Sequence, residues 1–304
     1  MFEFVFKMFS VGSVSLPEMG IGQVPLQIAA DLPEDCVYLN TPVESMQRLK
    51  RASGGGKSGT FSSESSDSVG DGVDEPRVRL RLAGGAEVLA HAAVVATEAP
   101  AAAALLGGRV LDGGEGPSEG RSSTCLYFAL DGPPPVDGPI LLLNGEGTSP
   151  DRPVNNLVFL EKTAPSYAPE GKSLASVTVV GDPECSDADL EKQVRAHLSE
   201  WFDSDRTEDK KGTMPVAEWK HLRTYRVPYA QPAQTPPVGE GGFYGRKVEL
   251  SEGIFVCGDH RATPTLDGAM RSGVLAAEAV VRSLVMGDAC GPPVRRNSSR
   301  RVAV

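Results

Sequence analysis

An α/β protein with more than one sheet is the fold class that this 304-residue sequence predicts. Three observations carry the prediction. A period-two segment, RVRLRL, and two short, continuously apolar segments, HAAVVAT and GIFVCGD, read as strands of one region. STCLYFAL, PILLLN, NNLVFL and SLASVTVVG, spaced by Pro- and Gly-rich connections, read as an antiparallel sheet of a second region. Apolar residues at helical spacing mark Asp187–Phe202 and the stretch after Thr265 as helices. The length suits about two domains at ~100–200 residues each.

Taken in order, the chain opens on MFEFVFKMFSVGS, where Phe2, Val5, Phe6 and Phe9 share one helical face. Glu3 in place of positive charge and Lys7 inside the apolar run argue against a signal peptide. A short helix follows, opened by Pro25, with Leu26, Ile28, Ala29 and Leu32 as its apolar contacts. Cys36 to Leu39 reads as a short strand and TPVESMQRL as another. From Lys50 to Pro76 almost no residue can form a core, so this stretch is expected to be a disordered insertion. Gly84-Gly85 turns RVRLRL into a hairpin, and HAAVVAT should be buried on both faces. Glycines and acids between Gly107 and Gly120 form a linker to the antiparallel region. In the helix Asp187–Phe202, the buried stripe is Leu190, Val194, Leu198 and Trp201 or Phe202. The last helix is expected to line up Leu266, Ala269, Met270, Gly273, Val274, Ala277, Val281 and Leu284 on one face and to end at Gly287.

The formal net charge of −10 excludes nucleic acid as a general partner, since phosphate binding needs a concentrated basic surface. Only the tail is basic, with Arg295, Arg296, Arg300 and Arg301, and it reads as a solvated end. Five cysteines without a C-x-x-C pair argue against a disulfide framework and for a soluble, reducing compartment. His91, His197, His221 and His260 show no metal-ligand spacing, so no metal site is expected. No apolar run approaches the ~18 residues of a membrane span, while peripheral membrane contact stays open. No feature specifies an oligomeric state.

The most specific signal lies between Gly253 and Leu284. Ile254–Cys257 bring the chain to the carboxyl end of a buried strand. Gly258 permits close backbone approach, and Asp259 offers a carboxylate to hydroxyls. The helix start presents N–H groups and a positive dipole end to an electron-rich ligand. Gly268, Ala269 and Gly273 keep its first turns slim enough for a flat ring. GIFVCGDHRATPTLDGAMRSGVLAAEAV resembles the C-terminal FAD motif of the amine oxidase superfamily, which includes protoporphyrinogen oxidases and phytoene desaturases. The resemblance covers most of the chain, and its nearest likeness is to plant, algal and cyanobacterial phytoene-desaturase-like proteins.

The resemblance implies an FAD cofactor and assigns Asp259, with Gly258, to the ribityl and pyrophosphate region. Gly268, Ala269 and Met270 would face the isoalloxazine carbonyl. VVATEAPAAAALL resembles the second FAD-domain motif, which places Ala96 and Thr97 on a loop near the cofactor. TPVESM resembles the strand whose valine meets adenine through its backbone, pointing to Val43. The implied architecture is a discontinuous, incomplete Rossmann-like FAD domain (1–106 and 235–285) with an inserted mixed or antiparallel-sheet substrate domain (107–234) and a basic tail (286–304). The implied chemistry is hydride transfer from a C–H or N–H bond of a small-molecule substrate, isoprenoid or amine in type, to flavin N5. A redox-silent flavoprotein isomerase, or a remnant that no longer holds FAD, are the alternatives. No catalytic triad or carboxylate pair stands out, as expected where a cofactor carries the chemistry. A plastid setting is compatible with the likeness.

One departure is informative. The superfamily opens with a strand, a G-x-G-x-x-G turn and a helix that hold the pyrophosphate. Gly20-Ile21-Gly22 lacks the third glycine and the preceding strand. Met1 thus falls inside the superfamily's pattern, and a fragment that binds FAD weakly or not at all is the expectation.

Overall fold

The computed structural model describes residues 15–49, 76–107, 120–203, 213–233 and 246–286. The expected helix at Phe2–Phe9, nearly all of the Lys50–Pro76 insertion and the Gly107–Gly120 linker, Gly287 and the basic tail lie outside them. In chain order the elements are α1 (Gln23–Ala30), β1 (Val43–Arg48), β2 (Val78–Leu82), β3 (Glu87–Ala90), β4 (Ala93–Val95) and α2 (Ala99–Leu105), then β5 (Gly120–Leu130), β6 (Leu141–Leu143), β7 (Val154–Phe159), β8 (Ser173–Val180), α3 (Asp187–Phe202) and β9 (Lys220–Pro232), and last β10 (Glu249–Ser251), β11 (Ile254–Val256) and α4 (Leu266–Met286). The fold is mixed α/β, as predicted. Its described residues fall into two compact units, one of 15–38 with 120–230, the other of 39–107 with 231–286.

The first unit is a five-stranded sheet in the order β6-β7-β8-β5-β9, with β6–β7, β7–β8 and β8–β5 all antiparallel. Alternation decides its faces. On β5, Leu126, Phe128 and Leu130 are fully buried, and on β8 Ala175, Val177 and Val179 join them. The amphipathic stripe of α3 covers this face with Leu190, Val194 and Leu198, all fully buried, and Trp201 and Phe202 pack at its end. Ser186 caps α3 by accepting from the Asp189 amide at 3.1 Å. His197 is buried beside this stripe, where its Nδ1 accepts from the Val154 amide at 3.2 Å. Burial holds its pKa below the ordinary imidazole value, so the ring is a neutral acceptor. Arg226 donates to Asp182, to Asp187 and to the carbonyls of Pro183 and Cys185, which ties the β8–α3 connection to β9.

Two expectations for this unit change. Helix α1 forms, but it opens at Gln23, two residues before Pro25, and ends before Leu32; none of its residues is buried, and Leu26 is 61% exposed. The segment is anchored through its backbone instead: Ser166 Oγ donates to the Glu18 carbonyl and Tyr167 Oη to that of Pro17. Cys36–Leu39 is not a strand. Asp35 and Asn40, with φ of 63° and 54°, bracket it in left-handed turns, and Tyr38 and Leu39 stay exposed with no strand partner among the described residues.

The second unit holds two three-stranded sheets. One is the antiparallel β1-β2-β3, with the β2–β3 hairpin at the predicted glycine pair. The other has the order β10-β11-β4, in which β11 runs parallel to β4, pairing Ile254 with Ala93 and Val256 with Val95. Val78, Val95, Ala102, Leu106, Ile254 and Val256 form the shared core. Strand β4 is not buried on both faces. It lies at the edge of its sheet, and Val94 is 42% exposed. The alanine run after it folds as α2, with Pro100 in its first turn and Ala99, Ala102 and Ala103 buried.

Candidate cofactor site

Parallel pairing of β4 with β11 sets the carboxyl ends of two strands side by side. The Cys257 amide donates to the Val95 carbonyl at 3.0 Å, so Ala96-Thr97 and Gly258-Asp259 leave the sheet as neighbours. Ligands of α/β proteins bind at such strand ends. A cavity of about 560 Å³ opens beside β4, and Val43, Met46, Val94, Ala96, Thr97 and Ala101 are among its lining residues. Three sequence-predicted residues, Val43, Ala96 and Thr97, therefore meet at one cavity. Val94, the exposed valine of β4, faces it as well.

The turn after β11 is tightly determined. Gly258 has φ of 147° and ψ of 172°, a conformation open in practice to glycine alone. A Cβ on Gly258 would lie 2.6 Å from ring atoms of His260. The chain then makes a single 3-10 turn, Asp259–Arg261, in which His260 and Arg261 are 3% and 2% exposed. Asp259 is only partly buried. Desolvation raises its carboxyl pKa above the ordinary value, opposed by hydrogen bonds from the backbone N–H groups of His260 and of Asp259 itself. Burial, with Arg261 and Arg246 nearby, lowers the His260 pKa to about 4, so its ring is neutral.

Helix α4 meets this turn through small residues. Gly268, Ser272 and Ala276 lie one turn apart and are its buried line. Ser272 Oγ accepts from the Gly258 amide at 2.8 Å and donates to the Ala269 carbonyl at 2.7 Å, fastening the strand end to the helix. The expected apolar stripe faces the other way: Leu266, Met270, Val274, Val281 and Leu284 are each at least 40% exposed. Only side chains as small as glycine, serine and alanine allow the approach to the β11 turn, so the larger apolar line is excluded from it. Gly268 packs against the Thr263 carbonyl, with which any Cβ would collide. Its amide donates to Thr265 Oγ1 at 3.0 Å, which makes Thr265 the helix cap. Ala269 is half-buried and Met270 is exposed.

Thr265, Ser272 and His260 carry structural bonds or burial that the motif did not assign. The serine was visible in the G-A-x-x-S-G spacing, but its bond to Gly258 depends on the turn folding back. Thr265→Ala is expected to cost about 1 kcal/mol of stability. Thr265→Ser should restore it, and thermal melts of the three proteins check this.

The second unit thus sets a glycine-shaped strand end against a helix of small residues. The chain belongs to the family of flavin-containing amine oxidoreductases, whose profile it matches over residues 2–281. That places it in a superfamily of FAD-dependent oxidoreductases. A search of curated proteins finds no match. Among solved structures it is similar to an oxidoreductase from Methanosarcina mazei, at 18% identity and a TM-score of 0.44, covering 66% of this chain and 45% of that one. It is also similar to reduced UDP-galactopyranose mutase, at 14% identity and a TM-score of 0.44, covering 69% and 45%. A mutant of halogenase PltM in complex with FAD matches at 12% identity and a TM-score of 0.34, covering 71% and 40%. The chain spans under half the length of each of these proteins. Family membership rests on the sequence match over residues 2–281.

Proposed function

We propose that the second unit holds FAD and that the protein oxidises a small organic substrate, isoprenoid or amine in type, by hydride transfer. The observation that carries the reading is the meeting of Val43, Ala96 and Thr97 at one cavity, next to the strand end that bears Gly258 and Asp259. Family membership supports the cofactor. The residues fit it: the Asp259 carboxylate is partly exposed beside the Gly258 turn, and the cavity walls are mainly apolar. The cavity suits the adenosine end, with Val43 offering backbone groups to the base. Asp259 accepts hydrogen bonds from ribityl-side hydroxyls. Gly268, Ala269 and Met270, at the start of α4, are assigned to the ring end. When bound, flavin supplies the two-electron chemistry, accepting a hydride from a substrate C–H or N–H bond. The chain's own part is to bind, orient and shield.

This reading describes a discontinuous FAD domain, with the antiparallel sheet of the first unit as a substrate domain inserted in it. Among the described residues no group of three His, Cys, Asp or Glu could hold a metal, and no helix is long and apolar enough to cross a membrane. The G-x-G-x-x-G spacing occurs only at Gly54–Gly59, inside the Lys50–Pro76 stretch and without a strand pattern before it or a helix pattern after it, so the 304-residue chain should bind FAD weakly. Titration with FAD, followed by visible absorption and flavin fluorescence, tests the site. Asp259→Ala should weaken binding roughly ten- to a hundredfold, since a charge-assisted hydrogen bond contributes about 1.5–3 kcal/mol. Asp259→Asn should lose less, because an amide oxygen still accepts. Equal affinity for wild type and Asp259→Ala would remove Asp259 from the site.

A further inference from the structure

His260 stands out among the buried groups. Its side chain is 3% exposed, yet neither ring nitrogen has a hydrogen-bond partner among the described residues. Buried polar atoms are nearly always paired, so an orphaned pair of them calls for a reason. The ring is held in place: it lies against the backbone of Gly258, and Arg246 donates to the His260 carbonyl. Asp259 Oδ1 lies 3.8 Å from His260 Nδ1, just beyond hydrogen-bond range. A shift of under an ångström would close that gap.

We propose that His260 is a positioning residue for Asp259: its Nδ1–H holds carboxylate oxygen Oδ1 and so directs Oδ2 toward the ligand hydroxyls. The proposal rests on the reading of Asp259 as a cofactor contact. A neutral imidazole carries one proton, and the neighbouring carboxylate selects Nδ1 as its seat. Desolvation pushes Asp259 toward its protonated form, in which it accepts less well. An N–H aimed at Oδ1 counters that and keeps the carboxylate ionised. Two backbone N–H groups, those of His260 and Asp259, already reach the Asp259 carboxylate, and the ring N–H adds a third donor once the gap closes.

The test combines two measurements on the whole chain. Carboxyl carbon shifts of Asp259, followed by NMR against pH without ligand, should show a higher Asp259 pKa in His260→Phe than in wild type. His260→Asn, whose amide N–H falls near the Nδ1 position, should restore the wild-type value. An unchanged pKa in His260→Phe would overturn the proposal whatever FAD does. Nitrogen shifts of the wild-type ring need no substitution, and a proton on Nε2 would overturn it equally. FAD titration then separates the two readings. His260→Phe should weaken binding about five- to tenfold in the wild-type background and not at all in Asp259→Ala. If Asp259→Ala weakens binding while His260→Phe does not, the site stands and the positioning role falls. If the two losses simply add, His260 acts on its own and the proposal also fails. If neither variant alters FAD binding, Asp259 is not a cofactor contact and both readings fall.

Discussion

Gly258→Ala is expected to lower the melting temperature by roughly 5–15 °C, at ~2–4 °C per kcal/mol for a protein of this size. Two costs combine. The backbone at Gly258, with φ of 147°, lies where a side chain meets strain of about 1–3 kcal/mol. The added methyl would also sit 2.6 Å from His260 Cε1 and Nδ1. Overpacking of this kind costs typically ~1–3 kcal/mol, because the buried imidazole has little room to retreat. The two parts can be told apart. In a His260→Ala background the steric part should vanish and the backbone part remain, so Gly258→Ala should cost about half as much there. Equal costs in both backgrounds would show that the ring does not restrain the turn. FAD binding should fall with Gly258→Ala as well, since the strand end it shapes carries Asp259.

Acid should destabilise the protein through His260. In the folded state this ring titrates at about 4, against 6.5 for an unperturbed imidazole. Between those values the unfolded chain binds a proton that the folded chain refuses. The stability associated with His260 is therefore complete above about pH 6.5 and is lost as pH falls toward 4. At ~1.4 kcal/mol per pH unit, the whole window is worth about 3 kcal/mol. Burial is the main cause, and Arg261 and Arg246 add to it by disfavouring a further positive charge. Asp259 faces the same ring and acts in the opposite sense: its raised pKa returns stability as the carboxyl protonates at lower pH. The measurement is accordingly a difference. Urea unfolding of wild type and His260→Phe, at pH 7 and pH 4.5, should show a smaller acid loss in the variant. The same loss in both would place the titrating group elsewhere.

Local pattern sufficed for much of the fold. The spacing of STCLYFAL and SLASVTVVG between Pro- and Gly-rich connections identified β5 and β8, and their buried faces follow from the alternation of side chains along a strand. The α3 stripe was legible for the same reason, at helical period. So was the G-D-x(8)-G-A-x-x-S-G spacing, which named the strand end and the helix that meet at the site. Where the reading failed, a neighbour decided. Cys36–Leu39 has strand-forming residues, but a strand needs a partner, and the left-handed turns at Asp35 and Asn40 deny it one. Val94 belongs to a continuously apolar segment, and only its place on an edge strand beside a cavity left it exposed.

Helix α4 shows the division most clearly. Its sequence carries two lines of residues, one large and apolar, one of Gly268, Ser272 and Ala276. Hydrophobicity favours burying the first, and the slimness of the helix start is legible in the sequence without showing what lies against it. The turn after β11 approaches so closely that only the small line fits, with the Ser272 hydroxyl bonded to the Gly258 amide. The sequence by itself thus determined the family, the cofactor and the residue types at the strand end, since these depend on local spacing. Tertiary structure alone decided that Val43, Ala96 and Thr97 share a cavity, that Gly268 serves packing against Thr263, and that His260 is buried beside Asp259. Those facts depend on which surfaces come within a few ångströms of each other, and that distance is set by the packed chain rather than by any single segment.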